Sequence, residues 1–129
     1  MVQALGISKE TAEHFGAGYA PKGIMRGRLA IPIHDADGTL LAYCGQALNG
    51  EEPTLIFPKD FRPEAFIFNL NRAEGDMICL LRNPLAVMRA YEGGIENAIS
   101  FLTSTASPDQ LAKLADAMTS RGIDTLELN

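Results

Sequence analysis

Apolar positions change their rhythm along the chain. From residue 74 onward, short apolar runs alternate with stretches that repeat every three to four positions. Met77-Ile-Cys-Leu-Leu81 is continuous and apolar, the pattern of a parallel strand covered on both faces. Ala98-Ile-Ser-Phe-Leu102 and Thr125-Leu-Glu-Leu128 read as two more strands. Between the first two, Asn83 is an N-cap and Pro84 a first helical residue whose fixed φ suits that place; Gly93-Gly94 stop the helix after Glu92. Between the second and third, Ser107-Pro108-Asp109-Gln110 forms a capping box. Leu111, Leu114, Ala115 and Met118 then recur at helical spacing, which predicts one buried face, and Gly122 ends the helix. The order β-α-β-α-β predicts right-handed crossovers and a three-stranded parallel sheet.

Before residue 74 the runs are shorter, and most of the prolines lie there. Ser8 is placed to cap a short helix over residues 9–15, ended by Gly16 or Gly18. Arg28-Leu-Ala-Ile-Pro-Ile33 and Leu40-Leu-Ala-Tyr-Cys44 read as a hairpin, with Asp37-Gly38 supplying the turn. Pro32 has no N–H for a ladder, so its strand should lie at an edge or carry a bulge. Leu55-Ile-Phe57 and Phe66-Ile-Phe68 are further strand candidates. The border at Ala73-Glu74-Gly75-Asp76 holds no Ser/Gly-rich linker, so two packed lobes are expected. The reading is an α/β chain: an α+β lobe with an antiparallel hairpin over 1–73, then a β-α-β-α-β lobe over 74–129.

Composition narrows the function. The 129 residues are 47% apolar and 21% charged, enough for a proper core. A net charge of -5 excludes a whole-surface basic footprint for nucleic acid and leaves room only for a local patch. No apolar run approaches the roughly 18 residues of a membrane span, and Met1-Val-Gln-Ala-Leu5 opens no charged leader with an apolar stretch. Cys44 and Cys79 match no metal or redox spacing, so a reducing, cytoplasmic setting is expected and both should be small buried hydrophobes. His14 and His34 have no partner at ligand spacing and read as surface or packing residues. Asp35 and Asp37 supply only part of a calcium loop, which favours a hairpin turn. Met25, Met77, Met88 and Met118 read as core or gap-filling residues.

An ordered set of short motifs runs through most of the chain. It comprises Leu5-Gly-Ile-Ser8, Phe15-Gly-Ala-Gly-Tyr-Ala20, Gly27-Arg-Leu-Ala-Ile-Pro-Ile-His-Asp35, Asp37-Gly38 and Ala42-Tyr-Cys-Gly45. Phe57-Pro-Lys-Asp-Phe61 and Phe66-Ile-Phe-Asn-Leu-Asn-Arg-Ala73 follow, then Ala90-Tyr-Glu-Gly-Gly-Ile95 and Ala98-Ile-Ser-Phe-Leu-Thr103. In this order the chain resembles the primase-like toprim proteins of bacteria and their mobile elements, relatives of bacterial DNA primase. The resemblance implies a template-guiding lobe followed by a toprim sheet, the latter truncated here.

That resemblance also implies a metal site, and the residues depart from it. Toprim chemistry rests on Mg²⁺ held by carboxylates, with a Glu-Gly pair after the first strand and an Asp three residues past the Gly. Here Arg82 stands in place of the Glu, Asn83 of the Gly and Ala86 of the Asp. The resemblance places an Asp-x-Asp motif after the third strand; here that strand ends in Leu126-Glu-Leu-Asn129 with Glu127 inside the strand pattern, and the zinc module found upstream in relatives has no counterpart. The expectation is therefore no catalytic residue, no metal ligand and no Mg²⁺ of the usual kind. Arg82, Asn83, Ala86 and Arg89 would surround a vestigial pocket, where the cations either hold a phosphate or, the preferred reading, neutralise a site that has lost its metal.

For binding, Arg26, Arg28, Lys59, Arg62 and Arg72 fall in the lobe where related primases guide single strands, with Phe57, Phe61 or Tyr43 as stacking surfaces. Ordinary surface and interlobe ion pairs are the competing reading. The leading expectation is a non-catalytic primase-related protein of a mobile element or plasmid that binds single-stranded DNA or an active primase- or helicase-type partner. The alternative is a structural module that forms a homo-oligomer or completes its sheet with another chain. No membrane role is expected.

Overall fold

The computed structural model describes residues 6–20, 23 and 25–128; Leu5 and Asn129 of the quoted motifs lie outside them. The chain begins with α1 (Lys9–Phe15), capped by Ser8, whose side chain accepts from the Thr11 N–H at 3.1 Å. Gly16 ends it at φ +73, where a Cβ would also press on Pro32. Four strands then form an antiparallel sheet in chain order: β1 (Gly18–Tyr19), β2 (Leu29–His34), β3 (Leu40–Gln46) and β4 (Leu55–Ile56). The β2–β3 turn is held by its aspartates. The Gly38 N–H donates to the Asp35 carbonyl, and the Asp37 and Thr39 N–H groups donate to the carboxylates of Asp35 and Asp37. Only Gly38 of the Asp37-Gly38 pair takes positive φ.

Pro32 is tolerated for a reason that refines the expectation. β2 is an inner strand, but β1 pairs only with Leu29 and Ala30, so β2 is open on that side at Pro32. A bulge follows at Ile33/His34.

Two 3₁₀ turns, Pro63–Ala65 and Leu70–Arg72, flank β5 (Ile67–Phe68). The remaining elements are β6 (Met77–Leu81), α2 (Pro84–Glu92), β7 (Ala98–Phe101), α3 (Pro108–Arg121) and β8 (Thr125–Leu128). The second sheet runs β5-β7-β6-β8. β6 pairs in parallel with both β7 and β8, as the pattern predicts, and β5 adds a fourth, antiparallel edge strand beside β7. Residues ahead of 73 thus contribute to the second sheet.

The continuous apolar run of β6 is explained by cover on both faces. Cys79 and Leu81 face a cluster that includes Phe15, Leu29, Ile31, Ile33 and Cys44 from α1 and the antiparallel sheet and Val87, Met88 and Ala98 from α2 and β7. Ile78 and Leu80 face a smaller cluster with Ile99, Leu114, Ala117 and Ile123 under α3. Both cysteines are buried, and burial pushes the Cys44 thiol up to about 12.

The buried face of α3 is rotated from the expected one. Gln110, Leu114 and Ala117 are buried, whereas Leu111 is 52% exposed and Ala115 is exposed. Gln110 takes the inner place because its amide is satisfied there. Nε2 donates to the Pro63 and Phe66 carbonyls at 3.1 and 3.0 Å, and Oε1 accepts from the Ser107 N–H at 2.9 Å, which completes the capping box. Met88 is buried and Met25 and Met118 half-buried, but Met77, expected in the core, is 44% exposed at the start of β6. Two polar side chains tie distant segments of the chain. Arg121 donates to the Leu70 and Ala73 carbonyls and, from Nη2, to the Ala36 carbonyl of the hairpin. Glu92 accepts from the Ser8 N–H and the Thr11 hydroxyl, both at 2.7 Å.

Candidate functional site

Two concave regions lie at opposite kinds of sheet surface. The first is an open groove of about 810 Å³ over the antiparallel sheet. Its walls are largely apolar, with Met25, Ala30, Leu41, Tyr43, Pro58 and Phe61 among them, and Lys59 and Asp60 at its border. Tyr43 is 43% exposed, so its ring is available to a ligand. Phe61 is half-buried and stacked between Phe57 and Phe66, with ring centroids 5.6 and 5.5 Å apart. The Lys113 ammonium lies 5.1 Å from the Phe66 ring centre at the far end of this row. The row fixes the Phe61 edge of the groove.

The five basic residues expected to line one surface separate in the structure. Lys59 borders the groove. Arg26 and Arg62 are exposed and follow the groove-lining Met25 and Phe61 in the chain. Arg62 also pairs with Glu64 at 3.5 Å. Arg28 is 8% exposed, and its Nη1 donates to the carbonyls of Pro53 at 2.7 Å and of Gly45 and Thr54 at 3.3 Å. Its place in the binding set is thereby corrected, because its guanidinium holds β4 and the loop before it against β3. Gly45 beneath it leaves little room for a side chain, since a Cβ would meet Ile56, Arg28 and Met25 at 3.0–3.2 Å and those side chains would have to give way. Arg72 lies elsewhere, 5.7 Å over the Phe15 ring and beside a mixed-charge cleft with His14, Glu74 and Glu96. His14 stacks on Tyr91 at 4.1 Å, and burial, then the nearby Arg72, lowers its pKa.

The second region is a cavity of about 460 Å³ at the carboxyl ends of the parallel strands, where open α/β sheets bind ligands. Leu80, Leu81 and Arg82 reach it from β6, Phe101, Thr103 and Ser104 from β7 and the loop beyond, and Leu128 from β8. Of the residues expected to surround it, only Arg82 lines it. Asn83 is occupied as the α2 cap, its Oδ1 accepting from the Ala86 N–H at 2.8 Å. Arg89 lies along Gly6, on the side of α2 that faces the start of the chain. The sequence reading had no signal for Ser104 or Leu128, which reach the cavity only because β7 and β8 flank β6.

No family model matches the chain. In sequence it is similar to the DNA primase of Synechococcus elongatus, 29% identical over 112 residues that cover 81% of this chain and 16% of that protein. It is similar also to the DNA primase of Synechocystis sp., 28% identical over 88% of this chain and 18% of that protein. In structure it matches the zinc-binding and RNA polymerase domains of the Aquifex aeolicus primase, with a TM-score of 0.82 at 18% identity over 98% of this chain and 40% of that one. A DnaG primase catalytic domain bound to ssDNA matches at 0.81 and 18% identity, over 98% of this chain and 51% of that one. In fold, the chain is similar to the primase catalytic core. It spans about half or less of the solved structures it matches and less than a fifth of the curated primases.

Mg²⁺, which the toprim resemblance implies, does not fit the strand-end cavity. A hard dication takes oxygen donors, preferably carboxylates, and a guanidinium beside it is repulsive. The lining supplies one guanidinium, two hydroxyls and aliphatic or aromatic carbon. Glu127 sits one residue short of the cavity, its carboxylate 3.9 Å from the Cys79 sulfur. Among the described residues no group of three or more His, Cys, Asp or Glu is placed to hold a metal.

Proposed function

We propose that this chain binds single-stranded nucleic acid along the groove over its antiparallel sheet and does not itself carry metal-dependent nucleotidyl transfer. The exposed Tyr43 ring beside Lys59 in an open groove carries the reading. An aromatic face for a base and a cation for a phosphate are what a sequence-tolerant single-strand site requires. The fold supports it, since one solved relative is a primase catalytic domain bound to ssDNA and another, from Mycobacterium tuberculosis, is in complex with a double-stranded DNA with a single-stranded overhang. Arg26 and Arg62 would extend the cationic side of the groove. Arg72, beside a different cleft, would meet only a strand long enough to leave it. The guanidinium in the strand-end cavity supports the non-catalytic part. Service to a mobile element or plasmid, beside an active primase- or helicase-type protein, is the setting this reading suggests, and the genes flanking the reading frame test it.

Fluorescence anisotropy with a labelled oligothymidine at low salt tests the binding. Tyr43→Ala should weaken it roughly tenfold, within the 1–3 kcal/mol of one base stack, and Lys59→Ala should flatten its salt dependence. No binding at high micromolar protein removes the reading.

A second reading rests on β8. Among the described residues it pairs with β6 alone and so forms a sheet edge, and Leu128 is 70% exposed on it. Addition of a strand from another copy or another chain would cover that edge. Light scattering across a concentration range decides: a mass that doubles supports it, and a constant monomer mass with no added partner chain bound opposes self-association.

A further inference from the structure

The misfit between the strand-end cavity and a metal has a positive counterpart. The preferred reading of the sequence is that Arg82 neutralises a pocket that has lost its metal. The cavity has no carboxylate in its lining for it to neutralise. Arg82 is exposed into the space, and among the described residues no carboxylate lies within ion-pair distance of it. The Thr103 hydroxyl is already committed, donating to the Thr105 carbonyl at 2.7 Å. That bond fixes the loop that carries Ser104, whose hydroxyl makes no hydrogen bond among the described residues. One cation with a planar fork of donors and one free hydroxyl therefore face a concave space whose other walls, Leu80, Leu81, Phe101 and Leu128, are apolar.

We propose that Arg82 makes this cavity an oxyanion site, taking a phosphate group directly without a bridging cation. A guanidinium matches a phosphate with two parallel N–H···O bonds, a geometry an ammonium does not supply. The Ser104 hydroxyl gives a third donor. The apolar walls favour a phosphate attached to a flat or greasy body over the free ion, and a nucleoside monophosphate has that form. A carboxylate-lined site needs a divalent ion between itself and a phosphate; reversing the sign of one residue removes that need. The inference concerns the parallel sheet and is independent of strand binding in the groove of the other sheet.

Calorimetric titration of the full chain with AMP in EDTA tests it, with inorganic phosphate and adenosine as separate arms. AMP should bind without divalent ions, and Arg82→Gln should weaken it roughly tenfold or more, the scale of a lost charged hydrogen bond. Arg82→Lys should recover only part, because the fork is missing. Inorganic phosphate should bind more weakly than AMP, and equal binding of the two overturns the role given to the apolar walls. Adenosine binding as well as AMP, a requirement for Mg²⁺, or unchanged AMP binding in a folded Arg82→Gln protein each overturns it. Circular dichroism confirms folding, and Ser104→Ala provides a second, smaller loss if Arg82→Gln does not fold.

Discussion

Arg28 and Arg82 carry the same side chain at the margins of two sheets, and the structure uses them in opposite ways. Arg28 starts just ahead of β2 and is buried, with Nη1 shared among three backbone carbonyls. Arg82 follows β6 and stands exposed in a cavity without a carboxylate. Charge alone says nothing about which is structural. Burial and the acceptors already within reach do: a buried guanidinium that donates to backbone carbonyls of the fold is not presented to a ligand. The loop before β4 supplies such acceptors to Arg28, while the strand ends around Arg82 supply hydroxyls and hydrocarbon.

The largest test of that contrast is Arg28→Ala. It should lower stability by about 3 kcal/mol, since buried carbonyls lose a charged donor, and urea denaturation measures it. Arg28→Lys should restore part of this, because one ammonium reaches fewer of the three carbonyls. A loss below about 0.5 kcal/mol would place Arg28 with ordinary surface residues and erase the contrast.

A smaller test concerns Glu92, a charged group that lies outside the core yet is committed to the fold. The Thr11 hydroxyl, then the Ser8 N–H, hold its pKa below the usual 4.5. A carboxylate with a lowered folded pKa adds stability above its unfolded value, and that stability is lost as pH falls through the folded value. Glu92→Gln should therefore melt below the parent protein at pH 7, and the gap should close as the pH drops under the usual carboxylate range. A gap independent of pH would mean that the carboxylate charge is not what joins α2 to α1. The smallest expected effect is Arg82→Ala on stability. It should lie within about 0.5 kcal/mol, as for a surface side chain with no structural partner. A loss near that of Arg28→Ala would give Arg82 a structural role and sink the oxyanion site with it.

Much of the fold was legible because its signals are local. Ser8, Asn83 and Ser107 cap helices through bonds to N–H groups three residues on, and Gly16 and Gly122 end them with positive φ. The continuous run at 77–81 announced a strand covered on both faces. The hairpin at Asp35–Gly38 followed from its turn residues. The site was legible in part. Tyr43, Phe61 and Lys59 line one groove, and Arg82 lines a strand-end cavity. Arg28 and Arg72 do not share that groove, since sequence counts cations without counting the acceptors beside them.

What the sequence determined by itself is the set of helices, turns and buried parallel strands, because caps, glycine φ and apolar periodicity act over a few residues. Only the tertiary structure decided that Gln110 would be buried, that β5 would join the second sheet and that Arg28 and Arg121 would be structural. Those outcomes depend on carbonyls 25 residues away for Arg28, 44 for Gln110 and 51 for Arg121. A polar side chain enters a core only where such distant partners satisfy it, and folding alone brings them into reach.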